Sequence, residues 1–234
     1  MKQHPRMKMN MNMKMNMDIN MNTQCSEIRK KQSDARWYRW QKVRIAELMR
    51  GVADGDAEQA GELALLVKSH KKGYVAVKLY ESKVPPQAFA AYLDGAWSNT
   101  HAAVIRSAGS RARLSRLFEY AEFEIPETLP ETVTCWRGTS HVSVTQAKRG
   151  ISWSISRDVA AWFATRFADS HPRSKALLLK TTIPKSHILY YSDGRQEKEV
   201  ALVRPPQVVV VDGNFEDWKR YADQHARSTR DCSV

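Results

Sequence analysis

Between about Ser26 and Ala121 the hydrophobic positions recur every three to four residues, the spacing that gathers them on one face of a helix. A first helix carries Trp37, Trp40, Arg44 and Leu48 on one side and Arg36, Arg39 and Lys42 near another. Further helices are predicted over 57–69, 86–96 and 111–121. In the last of these, Leu114, Leu117, Phe118 and Ala121 form one stripe for burial. After Pro126 and Pro130 the texture changes to short β-type runs at 132–137, 176–183, 187–191, 197–203 and 207–211, with helices over 157–168 and 215–226. The second half therefore reads as α+β. Asp193-Gly194, between two of the runs, predicts a hairpin turn. Val208 to Val211 predicts a buried core strand without chemistry.

Residues 7–22 follow neither period. They alternate Met with Asn and hold seven of the nine methionines, with too little branched or aromatic surface to offset the entropy of ordering. The expected organisation is a disordered low-complexity tail over 1–25, a helical segment over 26–125 and a catalytic core over 126–234. No apolar run approaches the roughly 18 residues of a membrane span, so no membrane partner is expected.

Charge adds one feature. The net charge is +12, and in the first fifty residues Lys and Arg outnumber Asp and Glu by twelve to four, so the excess is concentrated there. A basic helix bearing tryptophans suits nucleic acid, through phosphate contacts and base stacking. A Trp stripe at helical spacing more often packs into a core, and a basic face is as often merely solvated. The cysteines, Cys25, Cys135 and Cys232, are odd in number and widely spaced, without a CxxC pair, so they indicate neither a disulfide framework nor zinc. With no apolar stretch like that of an export signal, a cytoplasmic setting is expected.

Three motifs in the second half carry chemistry. Cys135-Trp136-Arg137-Gly138 puts an arginine at the end of a strand, beside a glycine that lets a ligand approach the backbone. The planar guanidinium fork suits a pyrophosphate, to which it donates two parallel hydrogen bonds. Ser152-Trp153-Ser154-Ile155-Ser156 is a hydroxyl-bearing strand that runs into an amphipathic helix, with Ser156 as its N-cap. Glu197-Lys198-Glu199 opens the apolar run Val200-Ala201-Leu202. In a strand, residues two apart share a face, so the two carboxylates would converge where burial makes them costly. Taken singly, each motif has a plainer explanation: a surface arginine, a helix cap and a solvated strand edge.

In this order, aromatic-Arg-Gly, Ser-x-Ser before a helix and Glu-x-Glu opening a strand resemble the arginine–serine–glutamate class of mono-ADP-ribosyltransferases, over roughly Thr132 to Val211. The resemblance implies a split β-sandwich, preceded here by the helical segment, with NAD+ as co-substrate in the cleft between the sheets. It implies that Arg137 holds an NAD+ phosphate and that the Gly138 backbone meets the nicotinamide amide. Ser154-Ile155-Ser156 would stand for the family's Ser-Thr-Ser, Ser154 orienting the catalytic glutamate and the stretch through Ser156 shaping the nicotinamide pocket; the middle threonine is isoleucine here. Glu199 would be the catalytic glutamate, Glu197 would engage the acceptor, and Ser192 to Gln196 would form the acceptor loop.

Loss of cationic nicotinamide leaves an oxocarbenium-like ribose, as in glycoside cleavage. A carboxylate at Glu199 suits that charge, Arg137 fixes the pyrophosphate and Glu197 takes the proton of the incoming nucleophile. No metal is needed, and the histidines show no ligand spacing. Within the family Glu-x-Glu favours a protein arginine as acceptor, while relatives modify nucleic acid. An intracellular macromolecule, protein or RNA/DNA, is thus the expected acceptor. A toxin held by an antitoxin protein, or a phage protein acting in its host, fits this setting. The competing class is a non-enzymatic nucleic-acid-binding protein on a degenerate transferase fold.

Overall fold

The computed structural model describes residues 36–167, 175–194, 196–202 and 204–231. The Met/Asn tract, Cys25 and Cys232 lie outside the described residues. The chain is α+β. Five helices come first: α1 over 36–53, α2 Ala57–Leu66, α3 Ser69–Glu81, α4 Pro86–Ala108 and α5 Arg111–Ala121. There follow β1 Thr132–Thr139, α6 Val144–Lys148, β2 Ser152–Ser154, α7 Arg157–Thr165, β3 Leu177–Pro184, β4 Tyr191–Ser192, β5 Glu199–Ala201, β6 Val210–Val211 and α8 Phe215–Asp231. Among the described residues no helix is long and apolar enough to cross a membrane.

Local chemistry sets the helix ends. The Asp56 carboxylate accepts the Gln59 N–H at 2.9 Å to start α2, and that bond, with a second from the Gln59 side chain, holds its pKa below the usual carboxylate range. Pro86 opens α4 at a position where a missing N–H costs nothing. That helix ends at Gly109 in the left-handed region, φ 72°, and Ser110 at once caps α5. The sequence pattern missed α3, because Gly73 and two valines dilute its helical signal although Gly73, Ala76, Val77 and Leu79 are all buried.

The described strands form one open sheet in the order β4-β5-β2-β1-β3-β6, with every pair antiparallel. Trp136 stands opposite Ser154 and Ser154 opposite Glu199, so three residues from three sequence motifs make one row across β1, β2 and β5. Directly opposed residues share a face. On that face α7 lies against β1 so closely that a Cβ on Gly138 would come within 1.6 Å of the Ala160 carbonyl oxygen. Beside it, Ala201 of β5 joins Ile151 and Tyr190 in the hydrophobic core of the five helices. The helical segment thus covers the β5 side of the face and α7 the β1 side.

Three expectations are corrected. Val208, Val210 and Val211 are 71%, 52% and 49% exposed. With only two residues paired to β3, β6 is the sheet's outer edge and not a core strand. The connection between β4 and β5 is not a two-residue hairpin: β4 ends at Ser192, β5 begins at Glu199, and positive φ falls on Gln196 (56°) and Lys198 (45°). Finally, Trp37 and Trp40 are 52% and 47% exposed, so the first tryptophan stripe does not pack into a core. α2 runs back along α1 and ends opposite Gln41, whose side chain donates to the Leu66 carbonyl at 2.8 Å. The turn of α1 before that point has outrun the helix that covers Leu48 and Val52.

Candidate active site

Where the α4 and α7 sides meet, the row Trp136, Ser154 and Glu199 floors a cleft of about 590 Å³, counting its open mouth. Arg137, Gly138, Ser152, Trp153 and Glu197 complete its sheet side, Ala160, Phe163 and Arg166 come from α7, and His101 comes from α4. Its lining mixes aromatic rings with a few convergent polar groups, as small-molecule sites do. The three motifs, spread from Arg137 to Glu199, therefore converge in one cavity.

Glu199 is the first residue of β5 and is buried, 7% exposed. An isolated buried carboxylate is costly by on the order of several kcal/mol, which neighbouring charge and donated hydrogen bonds offset. Here the indole Nε1–H of Trp97, on α4, donates to Glu199 Oε1 at 3.0 Å. The Arg137 guanidinium lies within the field of the same carboxylate. Burial lowers the Arg137 pKa from its ordinary value, the nearby Arg111 adds to that, and Glu199 works against it.

Among the described residues Arg137 is held through one end of its guanidinium. Its Nη1–H donates to the Ser152 carbonyl, while its Nε is buried without a hydrogen-bond partner. A buried polar atom without a partner is an exception in folded proteins, and here it lies against the Gly150 backbone. The space for the guanidinium exists because residue 150 is glycine: a Cβ there would fall 2.1 Å from Arg137 Cζ. Gly150 is a site determinant with no signal in the motifs.

Ser154, 6% exposed, acts on the glutamate pair through the backbone. Its hydroxyl donates to the Glu197 carbonyl at 2.7 Å and accepts the Ser156 N–H at 3.0 Å. Ser156 caps α7, accepting the Val159 N–H at 3.4 Å. Together the two serines fix the loop before β5 to the start of α7. Gly138 contributes its lack of a side chain, which seats α7 on β1. Glu197 is half-buried at the mouth of the cleft. It meets Glu199 there without the strand alternation expected of it, since 197–198 lie outside β5 and Lys198 takes positive φ. Glu197 attracts Arg166, whose guanidinium lies over the Phe163 ring at 4.6 Å.

Trp97, His101, Gly150 and Arg166 were not legible in the sequence. The first two sit on a helix that precedes all three motifs, 102 residues from Glu199 in the case of Trp97, and only the tertiary packing of α4 beside β5 brings them in.

The comparisons with known proteins give no match. Neither a family model nor a curated protein nor a solved structure is significantly similar to this chain. The chemistry therefore rests on the cleft itself: a buried carboxylate with a fixed donor, a half-satisfied arginine, a second carboxylate at the mouth, and aromatic rings of Trp136, Trp153 and Phe163 around them. Such a set offers an anion a guanidinium at one end and places a carboxylate's negative charge at the other. Among the described residues no three His, Cys, Asp or Glu side chains gather as a metal site.

Proposed function

We propose that this chain is an NAD+-dependent mono-ADP-ribosyltransferase that modifies an intracellular macromolecule. What carries the reading is the meeting of Arg137, Ser154 and Glu199 in one cleft, with the arginine's Nε buried and unsatisfied. On this reading the α+β core is a variant of the transferase split sandwich whose described strands all hydrogen-bond into one open sheet.

NAD+ enters as co-substrate. The free side of the Arg137 fork fits its pyrophosphate, the open backbone at Gly138 its nicotinamide amide, and the ring-lined wall its nicotinamide. In the reaction the bond between ribose C1′ and the nicotinamide nitrogen breaks, its electron pair leaving with nicotinamide, and a bond from C1′ to the acceptor's nucleophile forms. Glu199, anchored through Oε1, places negative charge beside the developing ribosyl cation. Glu197 takes the nucleophile's proton. Ser154 holds the backbone between them. No metal ion takes part in this scheme.

Glu197 at the mouth favours a protein arginine as acceptor. A second reading, a nucleic-acid acceptor, is favoured by α1. There Trp37 and Trp40 are exposed and stacked at 4.8 Å, on a turn that also exposes Arg36, Arg39 and Lys42. Cytoplasmic action, as a toxin restrained by an antitoxin or a phage protein in its host, belongs to the same proposal.

The test is nicotinamide release from NAD+ by the purified chain and by Glu199→Gln. The variant should fold and lose roughly 10²–10³-fold in rate, the scale of a removed electrostatic stabiliser. A variant as active as the parent chain overturns the assignment of Glu199 and with it this reading of the cleft, whereas a parent chain that releases none leaves the non-enzymatic nucleic-acid-binding class.

A further inference from the structure

We infer that Trp97 is the positioning residue for Glu199, so that the helical segment completes the active site instead of merely preceding it. The inference rests on the transferase reading of the cleft and names a part that the three motifs do not contain.

A buried indole needs an acceptor for its one N–H, and in a helical core a backbone carbonyl or a neutral side chain would serve. Trp97, 1% exposed, instead donates to Glu199 Oε1 at 3.0 Å, across 102 residues of sequence. The donor is rigidly mounted. The ring packs edge-on against Phe118 at 5.0 Å and tilted against His101 at 5.7 Å, and Tyr190 lies beside it at 6.5 Å. Tyr190, just before β4, is tied to α4 by its own hydroxyl, which donates to Asp94 Oδ1 at 2.7 Å and lies 3.3 Å from Ser98 Oγ. Asp94, Trp97 and Ser98 follow the three-and-four spacing of one helix face, so a single stripe of α4 holds both Tyr190 and the carboxylate.

The stripe is not set on a regular helix. Thr100, between Trp97 and His101, leaves helical geometry with φ −159° and ψ 59°. The helix therefore bends beside the cleft, where His101 joins its wall.

The consequence is a division of labour. The resemblance assigns orientation of the catalytic glutamate to the serine of the strand, yet the Ser154 hydroxyl is committed to the Glu197 carbonyl. The indole N–H fixes one carboxylate oxygen and with it the plane of the group. A carboxylate accepts at both oxygens, so Oε2 can face the ribose. An ionised acceptor makes this a charge-assisted bond. Trp97 acts through Glu199, on the rate of bond breaking and little on NAD+ affinity.

Trp97→Phe keeps the ring stack and removes the N–H. In the full chain it should lower kcat for nicotinamide release by about 10- to 100-fold, with KM for NAD+ changed about twofold or less. Tyr120→Phe, which removes the hydroxyl donated to the Val84 carbonyl at 2.7 Å away from the cleft, serves as a stability control and should keep the parent kcat. A parent-like kcat in Trp97→Phe, or a loss matched by Tyr120→Phe, overturns the inference while Glu199→Gln stays inactive. A parent-like Glu199→Gln shows instead that the transferase reading beneath it has failed. If Trp97→Phe does not fold, the Trp97 indole N–H resonance, assigned by its contacts with the Phe118 and Tyr190 rings, gives the answer in Glu199→Gln. It should shift upfield as its charged acceptor becomes neutral, and an unmoved resonance overturns the inference.

Discussion

At the scale of the residue, the site depends on how Arg137 and Gly150 fit together. Arg137 keeps an unsatisfied Nε in a buried setting, and only a planar fork can fill that geometry while its Nη1 stays on the Ser152 carbonyl. Arg137→Lys should accordingly raise KM for NAD+ by about tenfold or more although the charge is kept; unchanged NAD+ affinity by calorimetry would show the arginine to be structural. Gly150 is the other half of the fit. Its missing Cβ would meet Arg137 Nε and Cζ at 2.1 Å, and the guanidinium is the part that must yield. Gly150→Ala is expected to displace Arg137 from the cleft and raise KM about tenfold or more, since small misplacements of a binding group are expensive, while Tm moves by only a few degrees. A parent-like KM would mean that the guanidinium has another place to bind from.

At the scale of the element, α1 divides into a part that folds the protein and a part that faces outward. Leu48 and Val52 are fully buried, and Arg44 is bound to Glu62 at 2.6 Å. That pairing holds the Glu62 carboxyl below the usual carboxylate range. Before Gln41 the helix has no such cover among the described residues and exposes Trp37, Tyr38 and Trp40 beside basic side chains. If this face receives an RNA or DNA acceptor, replacing Arg36, Arg39 and Lys42 by Gln should weaken transfer to nucleic acid and flatten its salt dependence, with NAD+ hydrolysis untouched. Equal modification of all acceptors across a salt series by the triple variant would leave the face merely solvated. The periodicity of the sequence marked these tryptophans correctly as one side of a helix. It could not tell that α2 ends at Leu66, which is what leaves them uncovered.

At the scale of the whole molecule, the helices and the sheet share one core. Ile151, Tyr190 and Ala201 are buried together with side chains from α1 to α5, and the donor to Glu199 comes from α4. Residues 126–234 alone should therefore expose this apolar face and melt without a cooperative transition, while the chain from residue 36 onward melts cooperatively; a cooperative, NAD+-cleaving fragment would contradict this. The sequence by itself determined the elements whose signal is local. The helical stripes, the Ser156 cap, the change to β texture after Pro130 and the three polar motifs are all written within a few residues of one another, at periods that physics ties to one backbone geometry. It also determined the order of the motifs, from which a shared site could be expected. The tertiary structure alone decided which strands are neighbours, and so the row of Trp136, Ser154 and Glu199. It decided that the valines of β6 lie on an edge, that the glutamate pair meets through a loop of positive φ, and that an indole from the helical segment holds the carboxylate. Hydrophobic pattern states that a residue will be covered but not by what, and a hydrogen bond across 102 residues has no local signal.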